Sequence, residues 1–120
     1  MNWVSQIEGA REVDIETRRG ADAPVHRTTI WAVVDGEDVF VRSWRGAGAR
    51  WYRELTANPV AVLHAEGGST PVSAVAASDP DSVARVSAGY RRKYGDSSVV
   101  DSMVRDEILD TTVRLEPARS

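Results

Sequence analysis

A chain of 120 residues with 42% hydrophobic and 28% charged residues has the size and balance of one hydrophobic core, so a single domain over 1–120 is expected. The net charge of -3 argues against the broad basic face of a nucleic-acid binder, and the lack of cysteine excludes disulfides, thiolate nucleophiles, zinc ribbons and iron–sulfur clusters. Met1 to Glu8 carries neither a basic leader nor an apolar core, and no apolar run reaches membrane-spanning length, so a cytoplasmic protein without membrane partners is expected.

Residues 12–17 alternate with period two, Val13, Ile15 and Thr17 against Asp14 and Glu16, which predicts a half-buried strand. Arg18 to Pro24 breaks it into a loop. From Thr28 to Val34 the run TTIWAVV is β-branched and apolar on both faces, and Asp35-Gly36 turns it into the returning strand Val39 to Arg42. Strands apolar on both faces need cover on both, from a closed barrel and from a second subunit. Gly46 to Ala57 reads as helical, Trp51 and Leu55 sharing a face and Asn58-Pro59 stopping the run. Two strands, Val60 to Ala65 and Pro71 to Ala77, flank the turn Glu66 to Ser69. Asp79-Pro80 starts a helix with Val83, Val86, Tyr90 and Tyr94 on one face, Arg91, Arg92 and Lys93 outside, and Gly95 at its end. A short helix within Ser97 to Arg105, a strand from Thr111 to Leu115 and a frayed tail from Pro117 complete the chain. Strands arriving in hairpins predict an α+β, barrel-like domain of about six antiparallel strands with two or three helices.

The stretch RSWRGAGARWYR, residues 42–53, concentrates four arginines at a strand end, a glycine-containing loop and a helix start. Unpaired backbone N–H groups, a positive dipole end and bidentate guanidinium donors together suit a phosphate. Trp44 and Trp51 could wall a planar ring beside it. The competing reading is structural: the arginines pair with Glu37, Asp38 and Glu54, and the tryptophans belong to the core. There is no Walker A lysine pattern or dinucleotide-type glycine triplet, which argues against a nucleotide hydrolase.

The ordered segments WAVVDGEDVFVRS (31–43), Arg45-Gly46, WYREL (51–55) and ANPVAV (57–62) resemble the flavin- and deazaflavin-binding split β-barrel superfamily. Within it they are most similar to the deazaflavin-dependent nitroreductase branch, and closer still to a small group of uncharacterised function that also carries the helix end YRRKYG found here at 90–95. The resemblance makes the barrel-like domain a six-stranded antiparallel split β-barrel, and it implies a homodimer with FMN or coenzyme F420 at the subunit interface. Arg42, Ser43, Arg45, Gly46 and Arg50 would hold its phosphate, Trp51 would fix the helix against the site, and Arg27 and Trp31 would lie beside the ring. Two departures, Ala49-Arg50 where the branch has a proline before W-Y and Thr17 to Ala21 where it has G-R-x-S-G, leave open which flavin binds, or whether none does.

His26 and His64 lack carboxylates at ligand spacing, so no metal site is expected, and no G-x-S-x-G elbow supports a hydrolase. Tyr90 and Tyr94 read as core. The function that the resemblance implies is cofactor binding with hydride transfer to a small organic acceptor, no catalytic residue being assigned. The alternative is a non-catalytic binding module for a phosphorylated or carboxylated small ligand.

Overall fold

The computed structural model describes residues 3–65 and 67–118. Glu66 of the expected turn, and Arg119 and Ser120 of the tail, lie outside the described residues. One antiparallel sheet of seven strands in the order β2-β1-β5-β6-β7-β4-β3 curls into a half-barrel. Its strands are β1 (Val13–Thr17), β2 (His26–Ile30), β3 (Ala32–Asp35), β4 (Asp38–Val41), β5 (Val60–Ala65), β6 (Gly68–Ala76) and β7 (Val113–Pro117).

The seventh strand corrects the six expected. The run 28–34 is not one strand, because the chain leaves its pairing with β1 at Ile30 opposite Val13 and resumes with β4 at Ala32 opposite Val41. Trp31 is the corner between them, and the two free edges of the sheet are therefore consecutive in sequence. The expected fraying at Pro117 is also corrected: Pro117 pairs with Val72, and the Ala118 N–H donates to Pro71 O at 2.9 Å.

Three α-helices pack on this sheet: α1 (Trp3–Gly9), α2 (Arg50–Ala57) and α3 (Pro80–Tyr94). Inside the curl, alternate residues such as Ile15, Val39, Val41, Leu63, Val72 and Leu115 form one core, joined by Ile7 of α1 and by Trp51 and Leu55 of α2. The opposite face of the β3–β4 hairpin is covered by the chain itself rather than by a second subunit. Val33 and Phe40 pack against Val86, Tyr90, Tyr94 and Met103 in a separate cluster beneath α3. Gly89 permits that contact, since a Cβ there would come within 3.3 Å of Val33.

Helix α3 begins as its sequence dictates, with Asp79 accepting from the Ser82 N–H at 3.0 Å and Pro80 in the first turn. Its expected outer face is corrected at Lys93, the only lysine in the chain. Half-buried, Lys93 donates through Nζ to Ile7 O at 2.9 Å and Ala32 O at 2.7 Å, bracing the end of α1 against β3. The span read as a helix from Gly46 breaks at Ala49, whose ψ of 137° separates a 3-10 turn (Gly46–Gly48) from α2. Between α3 and β7 lie two 3-10 segments, Val100–Met103 and Asp106–Thr111. Among the described residues no helix is long and apolar enough to cross a membrane.

Candidate functional site

A cavity of about 970 Å³ opens where the β2–β3 corner, the loop after β4 and the Val100–Met103 segment converge. Thr28, Thr29, Ile30 and Trp31 line it from the corner, and Trp44, Arg45 and Gly48 to Trp51 from the loop and the start of α2. Val99 and Met103 line it further, with Arg42 and Glu12 completing the surface.

The corner is rigidly backed. Trp31 stacks on Tyr94 with ring centroids 3.9 Å apart, its carbonyl accepts from the Tyr90 hydroxyl at 2.9 Å, and the single Tyr94 hydroxyl proton is shared between Arg11 O at 2.8 Å and Ala32 O at 3.2 Å. Burial raises the pKa of both tyrosines, Tyr94 to about 12, so both remain donors at neutral pH. They are core residues, as their helical spacing predicts.

The loop after β4 is built on Ser43 and Gly46. Ser43 donates through Oγ to Gly46 O at 2.6 Å, its N–H donates to Thr111 Oγ1, and Gly46 takes φ of 75° to reverse the chain. The following helix start has no side-chain cap, because Ala49 stands at the capping position. Among the described residues the N–H groups of Arg50, Trp51 and Tyr52 have no backbone partner, and the Arg45 and Arg50 side chains have no ion-pair partner. Two exposed guanidiniums and an uncapped helix end thus face one cavity.

Of the eight residues singled out in the sequence, Trp31, Arg42, Arg45, Arg50 and Trp51 line this cavity. Ser43 and Gly46 lie behind it as the framework of the loop, both buried. Trp51 is largely buried among the core residues, with its edge on the cavity. Arg42 is 1% exposed and its donors serve the fold: Nε to Thr112 Oγ1, Nη1 to Ser87 Oγ and Met103 O, and Nη2 to Val83 O. Strand alternation could have revealed this, since Arg42 follows Phe40 by two and shares its α3-covered face. Arg27 stands apart, its Nε 2.9 Å from Asp14 in a smaller polar cleft with Glu12 and His64. The expected pairing of the cluster with Glu54 is replaced by another: Glu54 accepts from Thr17 Oγ1 at 2.8 Å and lies 2.7 Å from His26 Nδ1.

Fold and cavity together define a split β-barrel with a ligand-sized, arginine-lined pocket. The chain belongs to the family described as "Uncharacterized protein conserved in bacteria (DUF2255)", which matches residues 3–115. No curated protein matches the chain. Among solved structures it is similar to HutZ, the heme storage protein from Vibrio cholerae, at 17% identity and a TM-score of 0.74 over 97% of this chain and 87% of that one. It is also similar to an F420-H2 dependent reductase, FDR-A (13%, TM-score 0.67, 88% and 94% covered). A third likeness is to a "Putative Pyridoxamine 5'-phosphate oxidase" from Listeria innocua (12%, TM-score 0.66, 98% and 91% covered). At these identities the likenesses establish the fold.

Proposed function

We propose that this chain forms one split-barrel domain, working as a homodimer, that binds a flavin-type cofactor, FMN or coenzyme F420, and passes a hydride to a small organic acceptor. The observation that carries the reading is the meeting of Trp31, backed by Tyr94, with the unpaired Arg45 and Arg50 on one cavity large enough for a tricyclic ring. Arg45, Arg50 and the open N–H groups at the start of α2 hold the phosphate; Trp31 and Trp44 bound the ring. The bound cofactor supplies the redox chemistry, and the protein's part is to orient it, neutralise its phosphate and exclude water.

The alternative, a non-catalytic module for a phosphorylated or carboxylated ligand, uses the same arginines. It is favoured by the make-up of the lining, whose titratable groups among the described residues are Glu12 and arginines, with no histidine, tyrosine or lysine to relay a proton.

The test is a fluorescence titration of cofactor-free protein with FMN and with coenzyme F420, run beside Arg45→Ala. Saturable binding of one cofactor, weakened in the variant, supports the reading, and reduction of the bound cofactor followed by reoxidation by an acceptor separates enzyme from module. Absence of binding to both removes the oxidoreductase reading.

A further inference from the structure

Arg42 is a buried cation, 1% exposed, without a counter-ion among the described residues. Its four hydrogen-bond acceptors are two hydroxyls and two backbone carbonyls, drawn from α3, the Val100–Met103 segment and Thr112, the residue before β7. The ring of Tyr90 lies 5.6 Å from its guanidinium carbon, and no carboxylate pairs with it among the described residues. Burial accordingly pulls its pKa below the usual arginine value. A charge so placed is costly, because neutral acceptors satisfy its N–H groups without cancelling its field.

That field falls on the cavity, since Arg42 is also a wall residue there. The remaining charged groups on the wall are Arg45, Arg50 and Glu12, so three cations face one carboxylate and the surface is two positive charges in excess. In a low-dielectric wall the charge acts at a distance that a hydrogen bond does not span.

We propose that Arg42 is the charge-selecting residue of the cavity: keeping all four protein partners, it makes the site prefer a phosphate monoester dianion to a monoanion of the same shape. This rests on the phosphate reading above and deepens it, because it assigns the charge of the ligand's headgroup and gives Arg42 a role other than direct contact. The occupant is thereby the counter-ion that the fold leaves out.

Phenyl phosphate and phenyl sulfate are matched in shape and differ by one charge at about pH 8, since the second pKa of a phosphate monoester is about 6. Calorimetric titration of the intact protein with each is expected to favour the phosphate roughly ten-fold. Arg42→Lys should keep that preference, and Arg42→Gln should reduce it to the part that Arg45 and Arg50 supply by contact. Ser87→Asp brings a carboxylate to the position now 3.0 Å from Arg42 Nη1, and it should reduce the preference likewise while preserving the fold, so the inference stays testable if Arg42→Gln does not fold. Arg45→Ala should weaken both ligands together. A preference undiminished in Arg42→Gln or Ser87→Asp, or its absence in the unaltered protein, overturns the inference while leaving the site intact. Failure of both probes to bind overturns the phosphate reading itself.

Discussion

The indole of Trp31 lies flat on the ring of Tyr94, their planes 1° from parallel and their centroids 3.9 Å apart. One residue belongs to the corner of the sheet and lines the cavity, and the other is wholly buried near the end of α3, so the stack ties the cavity surface to the core. Tyr94→Leu removes the stack and the hydroxyl's shared hydrogen bond and should cost about 2–4 kcal/mol in urea unfolding. Tyr94→Phe keeps the stack and should cost only about 1 kcal/mol.

Arg45 and Arg50 should report on the phosphate and not on the ring. Each alanine variant is expected to weaken FMN by roughly ten- to a hundred-fold, the value of one hydrogen bond to a charged group, while riboflavin affinity stays unchanged. Parallel titrations with the two flavins decide it, and equal losses for both would place the arginines at the ring.

Alkaline pH should act through Lys93 and the two tyrosines in opposite directions. Burial lowers Lys93 from 10.5 to about 8, so between those values the unfolded chain holds the extra proton and stability rises with pH. Burial raises Tyr90 and Tyr94 above 10.0, so above that pH the unfolded chain releases protons that the folded one retains, and stability falls. Urea unfolding across this range should pass through a maximum near pH 10, and Lys93→Met should remove the rising limb while leaving the fall.

Gly46→Ala tests the reversal that sets up the anion side of the cavity. An added methyl has room, its nearest neighbour being Ile108 Cγ2 at 3.6 Å, so the cost comes from φ of 75°. The variant should fold with a loss of roughly 1–2 kcal/mol and bind FMN more weakly than its stability alone explains. Melting curves with and without FMN measure both quantities.

Local rules made much of this architecture legible. Asp35-Gly36 marks the hairpin, with Gly36 at φ of 64°, and Asp79-Pro80 marks the start of α3. What escaped depends on contacts distant in sequence. Helix α1 has neither an acidic first turn nor a basic last one, and it is held by Ile7 in the core and by Lys93 from 86 positions away. The corner at Trp31 interrupts a run whose composition is uniformly that of a strand, because the change of pairing partner is set by β1 and β4. Within the site, Arg45 and Arg50 stand out by their company, whereas Thr28, Val99 and Met103 reach the cavity only through the fold.

The corner at Trp31 also bears on solubility. The two edge strands, β2 and β3, are only five and four residues long, and on β3 the Ala32 and Val34 carbonyls already accept from side chains of α3, Ala32 from Lys93 and Tyr94 and Val34 from Arg92. A neighbouring molecule approaching in the extended form meets two short edges, one bearing Arg27 and the other partly occupied by α3, instead of a single long one. Such an edge propagates poorly, so the geometry that shapes the cavity also guards the chain against fibrous self-association.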